Sequence, residues 1–257
     1  MQKLFITVFL FSFLISSEVS FGWGATGHRV TGEIAEQHLS KKARKKLRAI
    51  MGQESLVLSS TWMDEIKSAP GTRHLNPWHY VSIPDGETYE TSEISSEGDA
   101  IWAIEMLIDS IEQNPKLPIE SQRDIIRMLV HLIGDIHQPL HVGRADDKGG
   151  NAIRVKWFGN PSNLHRVWDS DMIDGHKMSY TELAASLYRP TRQEIRELQN
   201  SGPREWAMES MSYREGIYNY PGEQLGYKYV YQHFDTVQQR LLEAGIRIAG
   251  VLNRLYG

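Results

Sequence analysis

The chain has 257 residues, 40% of them apolar, with 28 Lys and Arg against 32 Asp and Glu, a formal net charge of −4 and no cysteine. That is enough apolar mass for a sizeable core, and the slightly acidic balance excludes a broad basic field that would advertise a nucleic-acid partner. Bound divalent cations would alter that arithmetic locally, since each adds two positive charges.

The first residues, "MQKLFITVFLFSFLISSEVSFGWG", run from one Lys through an apolar stretch, Leu4 to Ser16, to the small residues Ser20 and Gly22. This is the order of a secretory signal peptide. Cleavage is expected between Gly22 and Trp23, leaving residues 1–22 as leader and 23–257 as a single domain, because no linker, repeat or low-complexity block interrupts the remainder. At roughly 13 residues the apolar run is shorter than the ~20 that span a bilayer as a helix. The mature protein is therefore expected to be soluble, without stable membrane association, and secreted or periplasmic. An exported chain without cysteine must be held by something other than disulfides, and metal ions are one candidate. The missing cysteine also points to a bacterial envelope or medium rather than a eukaryotic secretory route.

Cleavage before Trp23 would free an α-amine that can close a five-membered chelate with the carbonyl of the same residue. His28, in "WGATGHRV", lies about one helical turn further on. "SKKARKKLRAIMG" follows with a Ser cap, a basic face and a Gly stop, and its charge run reads as a solvated surface rather than a phosphate site. In "STWMDEIK", Asp64 sits among apolar residues on a short helix, either as a metal ligand or as a cap or ion-pair partner of Lys67. In "NPWHYVSI", His79 enters a buried site from an extended segment or is a satisfied core histidine. Tyr80 beside it is a stacking platform or a core tyrosine.

Two amphipathic helices come next. "EGDAIWAIEMLIDSIEQ" repeats apolar residues at spacings of three and four from Ile101 to Ile111, and "SQRDIIRMLVHLIGDIH" does so from Ile125 to Ile136 until Pro139 stops it. On the second, His131 and Asp135 are four apart and share a face, so both can point at one ion. The same His-x-x-x-Asp step recurs in "LHRVWD" as His165 and Asp169, and His141 lies just beyond a Pro turn. Two copies of a chelating step point to metal where one would not. Strand signals are confined to "NAIRVKWFG" and "WHYVSI", and the segment from Gly226 to Leu255 reads as a long helix. The fold class is mainly α: a single-domain multi-helix bundle with a small β-hairpin.

The segments "WGATGH", "TWMDEIK", "WHYV", "LVHLIGDIHQPLH", "GGN" and "NLHRVWD", in this order from Trp23 to Asp169, resemble the single-strand-specific zinc nucleases of the S1/P1 type, distant relatives of the bacterial zinc phospholipases C. The resemblance implies a phospholipase C/nuclease-like helical fold holding three zinc ions. One would be bound by Asp64, His79, His131 and Asp135, a second by the Trp23 amine and carbonyl, His28 and the shared Asp135, and a third by His141, His165 and Asp169 with positions left for substrate. It further implies a secreted monomer that cleaves single-stranded DNA and RNA to 5′-phosphorylated products and removes 3′-phosphates from nucleotides. Within that frame Asp64 is the residue expected to orient the attacking water, Lys67 to bind substrate and stabilise charge on the equatorial phosphate oxygens, and Tyr80 to stack on a base. His137 and Gln138 read as supporting or packing residues. The chain departs from fungal and plant relatives in lacking disulfides, in carrying Lys67 for a usual arginine and in having Ser82 where an acidic residue is expected. Two rivals remain: a zinc phospholipase C, whose last chelating step ends in Glu where this chain has Asp169, and a non-catalytic zinc-binding envelope protein, which would saturate its ions with protein ligands.

Overall fold

A computed structural model describes residues 22–257, so the leader expected over 1–22 lies, but for Gly22, outside the described residues. The chain from there is mostly helical, in the order α1 (Ala25–His38), α2 (Lys41–Met51), the short α3 (Leu56–Ser59) and α4 (Trp62–Ile66), a 3₁₀ segment Arg73–His79 and strand β1 (Val81–Ser82). Helices α5 (Ala100–Gln113) and α6 (Ile119–Ile136) lead to a 3₁₀ turn Pro139–His141 and strands β2 (Val142–Gly143), β3 (Arg154–Trp157) and β4 (Asn160–Asn163). A one-turn helix α7 (Leu164–Arg166) runs into a π-helical turn Val167–Asp171 and α8 (Met172–Gly175). Helices α9 (Tyr180–Ser186), α10 (Arg192–Gln199), α11 (Pro203–Ser212) and α12 (Arg214–Tyr218), strand β5 (Gln224–Leu225) and α13 (Tyr227–Tyr256) complete the chain.

The helix boundaries follow local chemistry. Ser40 accepts from the Ala43 amide at 3.1 Å to start α2, and Gly52, at φ +66°, stops it. Asp99 caps α5 through the Trp102 amide at 2.9 Å, and Pro139 ends the helical run of α6 three residues after Ile136. Tertiary burial then selects faces: Ile126, Leu129, Val130, Leu132, Ile133 and Ile136 of α6 are all fully buried. Burying each such side chain contributes about 1.5–3 kcal/mol.

Two apolar clusters share the long α13. One gathers α2, α5, α6 and the C-terminal end of α13 around Ile104, Leu129 and Ile248; the other gathers α1, α7, the π turn and the N-terminal half of α13 around Trp23, Trp168 and Leu241. Helix α1 lies close along α13 because Gly245 has no side chain there: a Cβ would meet the Ile34 Cβ at 2.5 Å. No helix among the described residues is long and apolar enough to cross a membrane.

The strands are small but they set register near the chemistry. β1 and β2 pair in parallel, Val81 opposite Val142 and Ser82 opposite Gly143, which brings the residues before each strand, Tyr80 and His141, alongside. The expected hairpin forms between β3 and β4, with Arg154 opposite Asn163 and Trp157 opposite Asn160. It is larger than expected, because β5 adds to β3 in parallel to make a three-stranded sheet. A two-residue strand has too little periodicity to be read from sequence.

Candidate metal centre and active-site cleft

The second half of α6 delivers His131 and Asp135 to the centre of the molecule, both fully buried. As residues four apart they stack along one helical face, and His131 Nε2 lies 3.2 Å from Asp135 Oδ2. His79, from the end of the 3₁₀ segment, approaches the same oxygen with Nδ1 at 2.9 Å and His131 Nε2 at 3.1 Å. His28, from α1, faces the other carboxylate oxygen with Nε2 at 3.2 Å. Asp135 therefore divides its two oxygens between two sets of nitrogens, the geometry of a bridging ligand. Asp64 of α4 joins His79 and His131 within 4.8 Å, ligand atom to ligand atom.

A few ångströms away a second concentration forms. His165 Nε2 is 3.1 Å from Asp169 Oδ2, and His141 Nε2 is 3.7 Å from Asp169 Oδ1. The rings of His141 and His165 stack with centroids 4.9 Å apart. His165 sits in α7 and Asp169 in the π turn, so this pair does not share a regular α-helical face as the spacing suggested. The wider π turn, a form concentrated at functional sites, holds the pair instead.

Backbone carbonyls fix the orientation of these rings. His131 Nδ1 donates to the Ser60 carbonyl, His141 Nδ1 to that of His79 and His165 Nδ1 to that of Gly149, each at 2.6 Å. A carbonyl only accepts, so Nδ1 carries a hydrogen and Nε2 faces inward, where an imidazole without a second proton offers the lone pair that a metal needs. Gly149 can present its carbonyl because its φ is +59° and a Cβ there would overlap the Leu140 carbonyl; this accounts for the "GGN" motif physically. Gln138 supports the second concentration, donating from Nε2 to Asp169 Oδ1 while its Oε1 accepts from the Leu140 amide at 2.5 Å. The spacing of His and Asp residues revealed the inward groups, but no pattern could reveal carbonyls supplied from distant loops.

The electrostatics show imidazoles and carboxylates that are strongly coupled despite their burial. Burial opposes charging His28 and His79 and lowers both below the usual imidazole range. Burial also opposes charging His131, but the Asp135 carboxylate outweighs it and pushes His131 up to about 9. Burial would raise Asp135, yet the neighbouring imidazoles, His131 foremost, hold it well below the usual carboxylate range. Asp169 is likewise lowered against its burial, chiefly by His165. His141 is also raised despite its burial, by the Asp169 and Asp135 carboxylates. Among the described residues, His28 Nδ1 and Asp64 Oδ1 are buried without a hydrogen-bond partner, and the His28 Nε2–Asp135 Oδ1 and His165 Nε2–Asp169 Oδ2 approaches are ion-pair contacts that lack hydrogen-bond alignment. Such orphans are costly unless something outside the chain satisfies them. Nitrogen and carboxylate donors without sulfur suit zinc among the transition metals.

The expected site residues distribute as follows. His28, His131 and Asp135 come together, as do Asp64, His79 and His131, and His141, His165 and Asp169. Trp23 is buried, and just before it the Gly22 amide donates to His141 Nε2 at 2.7 Å. His79 differs from expectation in ending a 3₁₀ segment rather than lying on an extended one; the extended backbone begins at Tyr80. Lys67 closes α4 immediately after Ile66. Of the candidate ligands, His141 and His165 line a cavity of about 780 Å³ whose walls also include Tyr80, Ser82 and Asn151. Sequence reasoning did not find Lys148, Arg154 and Asn163, which also line it. Tyr80 is 41% exposed, so it is a wall residue and not a core tyrosine. His137 faces away from the cluster, toward Arg247 of α13.

A family model described as S1/P1 Nuclease matches residues 23–257. Among curated relatives, Endonuclease 4 of Arabidopsis thaliana is 32% identical, covering 91% of this chain and 89% of its own. Nuclease S1 of Aspergillus oryzae is 29% identical over 68% of this chain and 63% of its own. Nuclease P1 of Penicillium citrinum is 32% identical over 62% and 63%.

Proposed function

The chain belongs to the S1/P1 nuclease family, and from that premise we propose that its cleft hydrolyses phosphodiester bonds in single-stranded DNA and RNA, leaving 5′-phosphates, and removes 3′-phosphates from nucleotides. The observation that carries this reading is the convergence of inward-facing His and carboxylate atoms, several of them buried without partners, next to an open cavity that His141 and His165 help to line. A zinc-storage protein has no use for the cavity.

The cofactor is three zinc ions, held by Asp64, His79, His131 and Asp135; by His28, Asp135 and the amine and carbonyl of Trp23; and by His141, His165 and Asp169. Bound there, they supply Lewis acidity that neutralises phosphate charge and makes water nucleophilic near neutral pH. Asp64, with a buried oxygen that no protein donor satisfies, orients the attacking water in line with phosphorus. Lys67, at the end of the same short helix, offsets charge gathering on the equatorial oxygens. Tyr80 stacks on the base beside the scissile bond, which selects single strands because a duplex hides its base faces.

Residues 1–22 are a leader whose removal between Gly22 and Trp23 frees the amine. The Gly22 amide at 2.7 Å from His141 Nε2 supports this: the backbone at the cut already lies among the ligands. The processed enzyme is a secreted or periplasmic monomer. Nitrophenol release from bis(nitrophenyl) phosphate, abolished by EDTA and restored by zinc, with cleavage of denatured but not duplex DNA, is the expected result. Zinc-independent turnover, or hydrolysis of phosphatidylcholine in place of DNA, would overturn the assignment.

A further inference from the structure

Helix α2 stands apart from the rest of the surface in its charge. Six of the chain's 28 cations fall in its eleven residues and no acidic residue does, although the chain carries 32 Asp and Glu. Its apolar side, Ala43, Leu47, Ile50 and Met51, is buried in the core, which turns Lys41, Lys42, Lys45, Lys46 and Arg48 to solvent.

Elsewhere exposed arginines are neutralised: Arg204 meets Glu105 at 2.8 Å and Arg254 meets Glu112 at 3.0 Å. On α2, Arg44 turns to the Glu36 carbonyl and Lys42 donates to the Gly257 carbonyl at 2.8 Å. Lys41, Lys45, Lys46 and Arg48 have neither an ion pair nor a side-chain hydrogen bond among the described residues. Like charges three and four apart on one helix repel one another, as Lys41 with Lys45 and Lys45 with Arg48 do here. The face is solvated, as its sequence suggests, but nothing in the chain neutralises it.

We propose that Lys41, Lys45, Lys46 and Arg48 form a second nucleic-acid contact, remote from the metals, that captures the phosphate backbone of a long substrate. This rests on the nuclease reading, which supplies the polyanion. No aromatic side chain stands on the helix, so the contact takes phosphates and not bases. It therefore holds single strands and duplex alike, whatever their sequence, and the choice of single strands is left to the cleft. The Arg123 guanidinium donates to the Ile50 carbonyl at 3.1 and 2.8 Å, which sets the end of α2 against the N-terminal part of α6. From Arg123 to His131 and Asp135 is about 12 and 18 Å of helix. A strand of many nucleotides spans the interval and gains a tethered second contact; a dinucleotide does not.

The test compares the processed zinc enzyme with a Lys41→Gln, Lys45→Gln, Lys46→Gln, Arg48→Gln variant. Gln forms helix about as well as Lys and Arg, so α2 is retained. At low salt we expect kcat/KM on a long oligothymidylate to fall about tenfold, through KM, with turnover of a dinucleotide unchanged. The slope of log kcat/KM against log salt should become shallower by up to about 0.7 for each cation removed. A labelled duplex, followed by fluorescence anisotropy, should bind the wild type and lose most of that binding in the variant. Lys41→Arg, Lys45→Arg, Lys46→Arg, which keeps the charge, should behave as wild type. An unmoved ratio and slope, with wild type cutting both substrates, overturn the second contact and leave the nuclease reading intact. Equal loss on both substrates also overturns it, by revealing a structural role. If wild type cuts neither, the nuclease reading falls and the second contact with it. Retention on phosphatidylglycerol vesicles, with the oligonucleotide kinetics of the variant unmoved, would assign the face to an anionic lipid surface instead.

Discussion

The C-terminal end of α6 has two buried polar faces that differ in kind. In front, His131, Asp135 and the His141 that follows the Pro turn join imidazoles and carboxylates from four other segments, and several atoms of the cluster lack a hydrogen-bond partner. Behind, His137 donates from Nδ1 to the Ile133 carbonyl at 2.7 Å and accepts from Arg247 at 2.9 Å. Arg247 clamps Glu209 with two bonds of 2.6 and 2.8 Å, and Arg240 reaches the His137 carbonyl at 3.2 Å and the Ser210 hydroxyl at 2.7 Å. Both faces are buried and both are rich in charge. The rear is closed, with each cation opposite a carboxylate and each imidazole nitrogen satisfied; the front leaves buried atoms without a hydrogen-bond partner, which is where we place the cations. Closure separates a polar cluster that holds the fold from one that holds a cofactor, and burial alone does not.

The strongest way to break this comparison is to remove Asp135, whose oxygens serve two sets of front nitrogens. Asp135→Ala should lower turnover by at least about 10³-fold, the scale of losing an electrostatic stabiliser at the reacting centre. Zinc bound per chain, measured by elemental analysis, should fall with it. Full zinc content in that variant would end the bridging role. Gln138→Met, which leaves the Asp169 carboxylate without its donor, should cost roughly 10–100-fold in zinc affinity or activity, read by chelator competition.

The rear should behave in the opposite way. Arg247→Met strands His137 Nε2 and leaves Glu209 with Arg240 alone, at 3.0 Å, and breaking a buried pair costs about 3–5 kcal/mol. Glu209 is 40% exposed, so water offsets part of the loss and about 2 kcal/mol is expected in denaturant unfolding. Zinc content and turnover per folded molecule should stay at wild-type values. Zinc loss in this variant would mean that the two faces are one network.

The front was legible in the sequence and the rear was not, for a physical reason. Chelation needs particular residue types at short spacings, and His131 with Asp135 satisfies that within one helix. The long helices α5, α6 and α13 were legible too, because their apolar periodicity is sustained over three or more turns. The rear network joins residues more than 100 positions apart, as Arg240 and Arg247 meet His137. Nothing local distinguishes those arginines from solvated ones. The His165 step was legible as a converging His–Asp pair but not as a π turn, since five residues do not fix a helical period. The docking of β5 beside β3 was not legible either, because it pairs Lys156 with Gln224 and Trp157 with Leu225, residues distant in the chain.

The smallest effect, and the sharpest test of the difference, is in the pH dependence of the metal-free protein. His137 is held well below the usual imidazole range, first by burial and then by Arg240 and Arg247. The unfolded chain takes up a proton near pH 6.5 that the folded one refuses, so stability is lost as pH falls below that value, by up to about 1.4 kcal/mol per pH unit for this one group. His28 and His79, lowered by burial, act in the same direction, with smaller shares from the half-buried His38 and His233. His131 has the opposite sign: pushed up to about 9, it contributes stability that is full below pH 6.5 and lost as pH rises through about 9. Unfolding midpoints in EDTA should therefore peak near pH 6.5 and fall on both sides. His137→Gln, whose amide can still donate and accept, should flatten the acid limb by about one proton and leave the alkaline limb unchanged. Zinc should do the reverse, abolishing the alkaline limb, because a cation that takes the place of the His131 proton binds more tightly as that proton is released. If zinc leaves the alkaline limb intact, the proton on His131 and the cation do not compete for one place, and the front would be a closed network like the rear.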